Sequence, residues 1–292
     1  MNGSEIRRTL ESIGAISEST ISLFSANTRD VEVNVFRDEA SGVIFIDEYF
    51  VGEKVYVEGD YRGSTCGGGS YEDIQDTERR LADLKQYFTG KCVVDIGCGE
   101  GSFLRGMRPY AKSITGVELL ASARNQLTDE GIPCVESLAE LGGGKIDAAF
   151  MMHVLEHLPD PLLFLKQARE KLVDSNPKAQ IVVEVPHARD FLIDRLRVSE
   201  FVAFTLWSQH LVLHTRESLR LLLAAAGFTN ITVRGVQRYP LSNHLAWLAY
   251  GLPGGHKSSL SEIDSASLCA AYSASLAAID GTDTLLAIAE VS

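Results

Sequence analysis

Val93-Val94-Asp95-Ile96-Gly97-Cys98-Gly99-Glu100-Gly101 is a short apolar run that ends in an acid and passes directly into three alternating glycines. The apolar residues predict a buried strand, Cys92–Ile96, and Ser102 onward predicts a helix. Glycines at 97, 99 and 101 let the backbone turn tightly and approach a ligand, while the first amides of the helix stay available to it. This device serves nucleotide-like ligands in general. The spacing here is GxGxG, not the GxGxxG that leaves room for a pyrophosphate. Asp95 closes the strand where a carboxylate meets an ammonium group, and Glu118, in Gly116-Val117-Glu118, closes the next strand where an acid accepts from ribose hydroxyls.

Working outward, apolar runs and helical patterns alternate. Strands are expected at Cys92–Ile96, Ser113–Val117, Pro133–Val135, Ala148–Met152, Gln180–Val185, Ile231–Val236 and Thr284–Ala289. Helices are expected near Ser102–Tyr110, Leu120–Glu130, Pro161–Leu172 and Glu217–Ala226. Such alternation implies parallel strands joined by crossovers, an α/β, doubly wound, seven-stranded and mostly parallel sheet. Upstream, Tyr71–Phe88 reads as one amphipathic helix, and Gly63–Ser70 as a loop with little side-chain mass. Residues 31–58 alternate in the manner of short strands (Val31, Val33, Val35; Val43 to Ile46; Val55, Val57), and Ile13–Phe24 as a weakly apolar helix. The expected division is an N-terminal β-containing addition at 1–70, a ligand-binding core at 71–236, a helical insertion at 237–282 and the last core strand at 283–292.

These residues resemble the class I, seven-stranded S-adenosylmethionine-dependent methyltransferases over about residues 80–235. VVDIGCGEGSFL resembles the loop that holds the methionine and ribose of the cofactor, and Gly116-Val117-Glu118-Leu119 the acidic end of the second strand. Ile146 to Asp160, with Met152 and His153, resembles the fourth-strand motif that abuts the cofactor; Gln180–Pro186 resembles the fifth strand, and His210 to Phe228 the segment before the sixth. The resemblance implies S-adenosylmethionine bound by Asp95, Gly97, Cys98, Gly99, Gly101, Glu118, Leu119, Met152 and His153, with Glu136 and Ser137 near the adenine.

Methyl transfer needs alignment of donor and acceptor and removal of an acceptor proton. Four of the seven histidines fall in two compact sets, His153/His157 with Glu156, and His210/His214. Residues 153, 156 and 157 share one face of a helical turn. Three readings of them stand. His157 packs structurally behind the cofactor loop; or His157 or His210 is the general base; or Glu156, His157 and His210 bind a divalent metal, which their spacing alone does not specify.

The resemblance extends to enzymes of sugar and surface-polysaccharide pathways through Val35 to Phe45. In some of those enzymes this strand pair carries zinc-binding cysteines; Ser41-Gly42 stands here instead, which removes that zinc domain. Tyr61, Arg62, His214, Asn243 and His244 are the candidate acceptor contacts. The implied reaction is methylation of a small polar acceptor, foremost a hydroxyl of a sugar or sugar-linked metabolite. The alternatives are N- or C-methylation, and a cofactor-binding partner subunit without catalysis.

Bulk composition narrows the partners. Lys and Arg number 27 against 39 Asp and Glu, a net charge of −12 that repels phosphate backbones and anionic membranes. Nucleic acid is therefore not expected as a partner. The five cysteines are scattered without a CxxC pair, which argues against a disulfide framework. Met1 to Leu10 is too polar for a signal peptide, and no apolar run reaches membrane-spanning length. A cytoplasmic chain without membrane insertion is expected, and a homodimer is compatible with the sequence.

Overall fold

A computed structural model describes residues 5–47, 52 and 70–291. At its centre lie β4 (Cys92–Ile96), β5 (Ser113–Val117), β6 (Cys134–Val135), β7 (Ala148–Met152), β8 (Gln180–Pro186), β10 (Thr229–Val236) and β11 (Thr284–Glu290). They form one sheet in the order β10-β11-β8-β7-β4-β5-β6. The pairs β4·β5, β4·β7, β5·β6 and β7·β8 are parallel, and only β11 runs antiparallel to its neighbours. The expected doubly wound α/β sheet is therefore observed. The central strands are buried on both faces, which is why they read as unbroken apolar runs.

Alternation along each strand divides the core in two. Val94, Ile96, Ala149, Met151, Ile181 and Val183 face α6 (Pro161–Ser175) and α9 (Arg216–Ala225), whose Leu165, Leu172, Leu219 and Leu222 are buried against them. On the other face Val93, Phe150 and Val182 meet Phe103, Leu104 and Met107 of α4 (Ser102–Met107) and Leu127 of α5 (Ala121–Asp129). The chain leaves β4 towards β5 and β6, then returns to place β7 on β4's other side. That reversal opens a crevice at the carboxyl ends of β4 and β7, where open α/β sheets bind ligands.

A second, antiparallel sheet has the order β1-β2-β3-β9, from Ile21–Ser25, Val35–Asp38, Ile44–Ile46 and Val212–Leu213. Its last strand comes from the segment after β8, so the N-terminal addition is hydrogen-bonded to the core's own chain through Ile44↔Leu213 and Phe45↔Val212. The expected helix at Ile13–Phe24 is corrected. The helix there is α1 (Glu5–Ser12); Gly14, at φ 72°, ends it, and Ile21–Ser25 is drawn into the ladder with β2. Val31 and Val33 precede β2 without joining it, and Val55 and Val57 lie outside the described residues. Tyr71–Phe88 divides into α2 (Tyr71–Asp83) and α3 (Lys85–Phe88) at Leu84, whose ψ of 7° breaks the helix. Between β10 and β11 lie α10 (Leu241–Tyr250) and α11 (Ala266–Ala278). The short helices α7 (Phe191–Asp194) and α8 (Ser199–Thr205) follow β8. Among the described residues no helix is long and apolar enough to cross a membrane.

Candidate functional site

The glycine loop leaves β4 with Gly97, Gly99 and Gly101 at φ 71°, 57° and 81°, in the left-handed region that side chains disfavour. At Gly97 there is also no space: an added Cβ would lie 2.4 Å from Val154 Cγ2, in the turn that follows β7. The two strand ends of the crevice thus meet through a residue without a side chain. Glu118 is buried, and its carboxylate accepts from the Gly99 amide at 2.8 Å and the Leu120 amide at 2.9 Å. It therefore holds the loop from the neighbouring strand while keeping lone pairs for a ligand.

Arg124 of α5 donates to the Glu118 and Leu119 carbonyls and, at 2.7 Å, to Glu136. Leu119 is exposed beside this group, and Ser137 Oγ lies 3.3 Å from Glu140. Cys98 Sγ is 3.9 Å from Cys134 Sγ. Asp95 is buried at the head of the loop. Burial raises its carboxyl to about 7, against the pull of Arg80 and with a further push from Glu118. An incoming ammonium or sulfonium would stabilise its charged form.

A buried ionic network crosses the crevice. Glu184, near the end of β8, is fully buried, and its Oε1 receives Arg79 at 2.9 Å and Arg80 at 2.6 Å, both from α2. His153 Nε2 lies 3.3 Å from the same oxygen. Burial alone would raise this carboxyl, but Arg80, His153 and Arg79 outweigh it and hold it well below the usual range. Asp76 of α2 takes Arg79 at 3.1 Å and, through both carboxylate oxygens, Arg238 beyond β10. Burial opposes its ionisation too, and the Arg238 charge overcomes that.

The histidine cluster stands at the end of β7. His153 has φ 58°, a costly conformation for a non-glycine residue, and its amide donates to the Glu184 carbonyl at 2.8 Å. Its Nδ1 lies 3.1 Å from Glu156 Oε1. Glu156 is fully buried; burial would raise its carboxyl, yet the His153 hydrogen bond and the charges of His153 and His157 bring it down to about 2.

His157 Nδ1 donates to the Gln209 carbonyl at 2.9 Å, which makes Nε2 the basic nitrogen of the ring, 3.9 Å from Glu156 Oε1. The His157 and His210 rings are 4.9 Å apart, with Trp207 6.0 Å from the first and 5.2 Å from the second. Burial lowers both imidazoles, His210 to about 3, so both are neutral near pH 7. Ligand atoms of Glu156, His157 and His210 lie within 4.8 Å of one another. Glu156 Oε2 and His210 Nδ1 have no hydrogen-bond partner among the described residues, and a carboxylate with two neutral imidazoles is a donor set that fits a divalent transition metal.

The remaining expected acceptor residues do not join this cluster. His214 is fully buried, with Nδ1 3.0 Å from Ser218 Oγ in the first turn of α9. Asn243 accepts from the Gly254 amide at 3.0 Å and lies 3.1 Å from His256 Nδ1; His244 Nδ1 lies 2.6 Å from the Tyr272 hydroxyl. All three are buried, with their polar atoms turned to partners inside the protein, and present almost no surface to an acceptor, so that expectation is corrected. Tyr61 and Arg62 lie outside the described residues. Met152 is half-buried at the end of β7, ahead of His153.

Sequence reasoning passed over Arg79, Arg80, Arg124, Glu184 and Trp207. Glu184 carried a legible signal: one charge inside the otherwise apolar Ile181-Val182-Val183-Glu184-Val185, where an acid persists only when paired.

Comparison with known proteins places this geometry in a family. The family model described as a methyltransferase domain matches residues 72–233. The chain is 27% identical over 129 residues to the ubiquinone biosynthesis O-methyltransferase of Pseudomonas paraeruginosa, covering 37% of this chain and 56% of that one. It thus spans about half the length of such relatives. The enzyme of the same name from Psychrobacter arcticus is 27% identical over 208 residues, covering 63% of this chain and 74% of that one. Among solved structures, an S-adenosylmethionine-dependent methyltransferase from Archaeoglobus fulgidus superimposes with a TM-score of 0.50 at 20% identity, covering 76% of this chain and 95% of that one. These relatives lend no support to the sugar-pathway resemblance. The chain belongs to the methyltransferase-domain family and has the fold of the class I S-adenosylmethionine-dependent methyltransferases.

Proposed function

We propose that this chain transfers the methyl group of S-adenosylmethionine to a hydroxyl oxygen of a small acceptor, with His157 as the base. The observation that carries the reading is the His157 tautomer, fixed by donation from Nδ1 to Gln209, which turns a basic Nε2 towards Glu156 beside Trp207 and His210. Asp95, the loop at Gly97, Cys98, Gly99 and Gly101, Glu118 and Leu119 hold the donor, with Glu136 and Ser137 on the adenine side and Met152 and His153 against the methionine end. The core at 71–236 and 283–292 carries the donor; the N-terminal addition and the 237–282 insertion shape the acceptor side. The acceptor's proton passes to His157 Nε2 as its oxygen attacks the methyl carbon, and S-adenosylhomocysteine leaves without needing a proton.

The relatives' name, an O-methyltransferase of ubiquinone biosynthesis, favours oxygen as the acceptor atom and lends nothing to a sugar hydroxyl. Arg29 stacks on Trp207 at 4.5 Å, and the aromatic surface that Trp207 and His210 leave beside it suits an aromatic ring. The test is transfer of labelled methyl from S-adenosylmethionine onto catechols, nucleotide sugars, amines and RNA. Label on catechols supports the reading. Label confined to nucleotide sugars restores the sugar acceptor, and label confined to amines or RNA overturns O-methylation of a small molecule. Cofactor binding with no transfer to any acceptor would favour a non-catalytic subunit.

A second reading has its own support, the unsatisfied Glu156 Oε2 and His210 Nδ1. Glu156, His157 and His210 would then hold a divalent metal, which when bound orients an acceptor oxygen and lowers its pKa. Transfer rates unchanged after dialysis against a chelator would exclude it.

A further inference from the structure

Across the glycine loop, Cys98 and Cys134 bring their sulfurs to 3.9 Å. They come from β4 and β6 ends that are not neighbours; β5 lies between them. What lets them meet is Gly116 in that middle strand. A Cβ at this position would lie 2.7 Å from Cys98 Sγ and 2.9 Å from Cys134 Sγ, so the absent side chain is the space both thiols occupy. We propose that Cys98 and Cys134 are an oxidisable dithiol built into the cofactor site, forming a disulfide with a low-molecular-weight disulfide as oxidant, and that this bond and the bound cofactor exclude each other.

A disulfide requires the sulfurs to close to about 2 Å, a movement of roughly 2 Å. The loop is the part able to yield, since Gly97 and Gly99 flank Cys98 and adopt backbone conformations open to glycine. The same movement draws Gly99 away from the Glu118 carboxylate that accepts its amide at 2.8 Å, and so disturbs the two groups placed against the ribose. The chemistry is thiol–disulfide exchange. The Cys134 thiolate attacks one sulfur of the oxidant and releases the first small thiol. Cys98 then attacks the mixed disulfide at the Cys134 sulfur and releases the second, so two electrons and two protons leave with the reduced oxidant. The mutual hydrogen bond pushes the Cys98 thiol up and pulls Cys134 down, which places the first thiolate on Cys134. Both residues are half-buried; Cys92 is buried within β4, and Cys269 sits apart on α11.

The exclusion rests on the cofactor lying in this loop, whereas the bond itself does not, and the experiment separates the two. The intact chain is treated with oxidised glutathione, with and without S-adenosylhomocysteine, and the disulfide is located by peptide mass mapping. The expected result is a link between the peptides carrying 98 and 134, suppressed at least tenfold by saturating S-adenosylhomocysteine and absent from Cys134→Ser. Calorimetric titration of oxidised wild type is expected to show S-adenosylhomocysteine binding weakened tenfold or more, restored by dithiothreitol, with no such ratio between oxidised and reduced Cys134→Ser. Failure to link 98 to 134 without ligand overturns the dithiol. A link that forms equally with ligand present, or leaves binding unchanged, overturns the exclusion. Reduced wild type that binds no S-adenosylhomocysteine overturns the placement of the cofactor, and the exclusion with it.

Discussion

The two halves of the crevice are built on different plans. On the proposed cofactor side, Asp95, the glycines and Glu118 come from two neighbouring strand ends, β4 and β5, and Glu118 is held by the amides of Leu120 beside it and of Gly99 in the adjoining loop. On the proposed acceptor side, Glu156 and His157 follow β7, Trp207 and His210 come from the segment before β9, and His153 meets Glu184 of β8, which in turn pairs with α2. The first half is a local device. The second exists only once distant segments have packed, and it keeps its charges buried in mutual pairing instead of facing water. A local site tolerates loss of a contact as a loss of affinity, whereas a packed ionic site answers with the stability of the fold.

The largest effect is expected where the halves join. Glu184→Ala leaves Arg79, Arg80 and His153 facing a carboxylate that is gone, and should destabilise the fold by about 3–5 kcal/mol, read from denaturant midpoints. A loss below about 1 kcal/mol would mean that the network is not integral to the fold. On the acceptor side, His157→Ala is expected to lower kcat by roughly 10²–10⁴ while the S-adenosylmethionine Kd holds. An unchanged kcat would return His157 to a packing role. On the cofactor side, Glu118→Ala should weaken S-adenosylmethionine about 10–100-fold by calorimetry, the worth of one or two hydrogen bonds to a charged group. Equal binding by the variant would break the assignment of the ribose site.

The smallest effect concerns Asp190, which accepts from Leu192 N at 2.7 Å and caps α7 beyond β8. Burial and then the Asp283 charge raise its carboxyl to about 8. The folded state therefore binds this proton more tightly than the unfolded chain, whose carboxylate value is about 4. Stability linked to this group rises as pH falls from 8 towards 4, and its cost is fully present above pH 8. Asp190→Asn keeps the cap and removes the charge, so its Tm should exceed wild type by a few degrees at pH 8.5 and match it near pH 4. A gain that does not vary with pH would show that titration of Asp190 is not its source.

The same contrast explains what could be read in advance. The central parallel strands were legible because burial on both faces forces near-continuous apolar runs, and β4 and β7 begin and end where those runs do. The glycine loop was legible because its turn is set within a few residues, and Glu118 because it closes the very next apolar strand. The helix expected at Ile13–Phe24 was misread because Ile21–Ser25 has too little periodicity to outweigh a ladder whose partner, Val35–Asp38, lies elsewhere in the chain. The polarity of His214, Asn243 and His244 suggests acceptor contacts, but burial makes each an internal hydrogen-bond partner.

Strand periodicity and glycine conformation are local properties, so the α/β sheet, the glycine loop and the acids that flank it could be read from the chain alone. Packing alone brings Val212–Leu213 into the N-terminal sheet, closes Arg79 and Arg80 on Glu184, and sets Cys98 against Cys134 over Gly116. Each of these is a contact between residues far apart in the chain, whose energy depends on burial and on a partner's position, and neither quantity is written in any single segment.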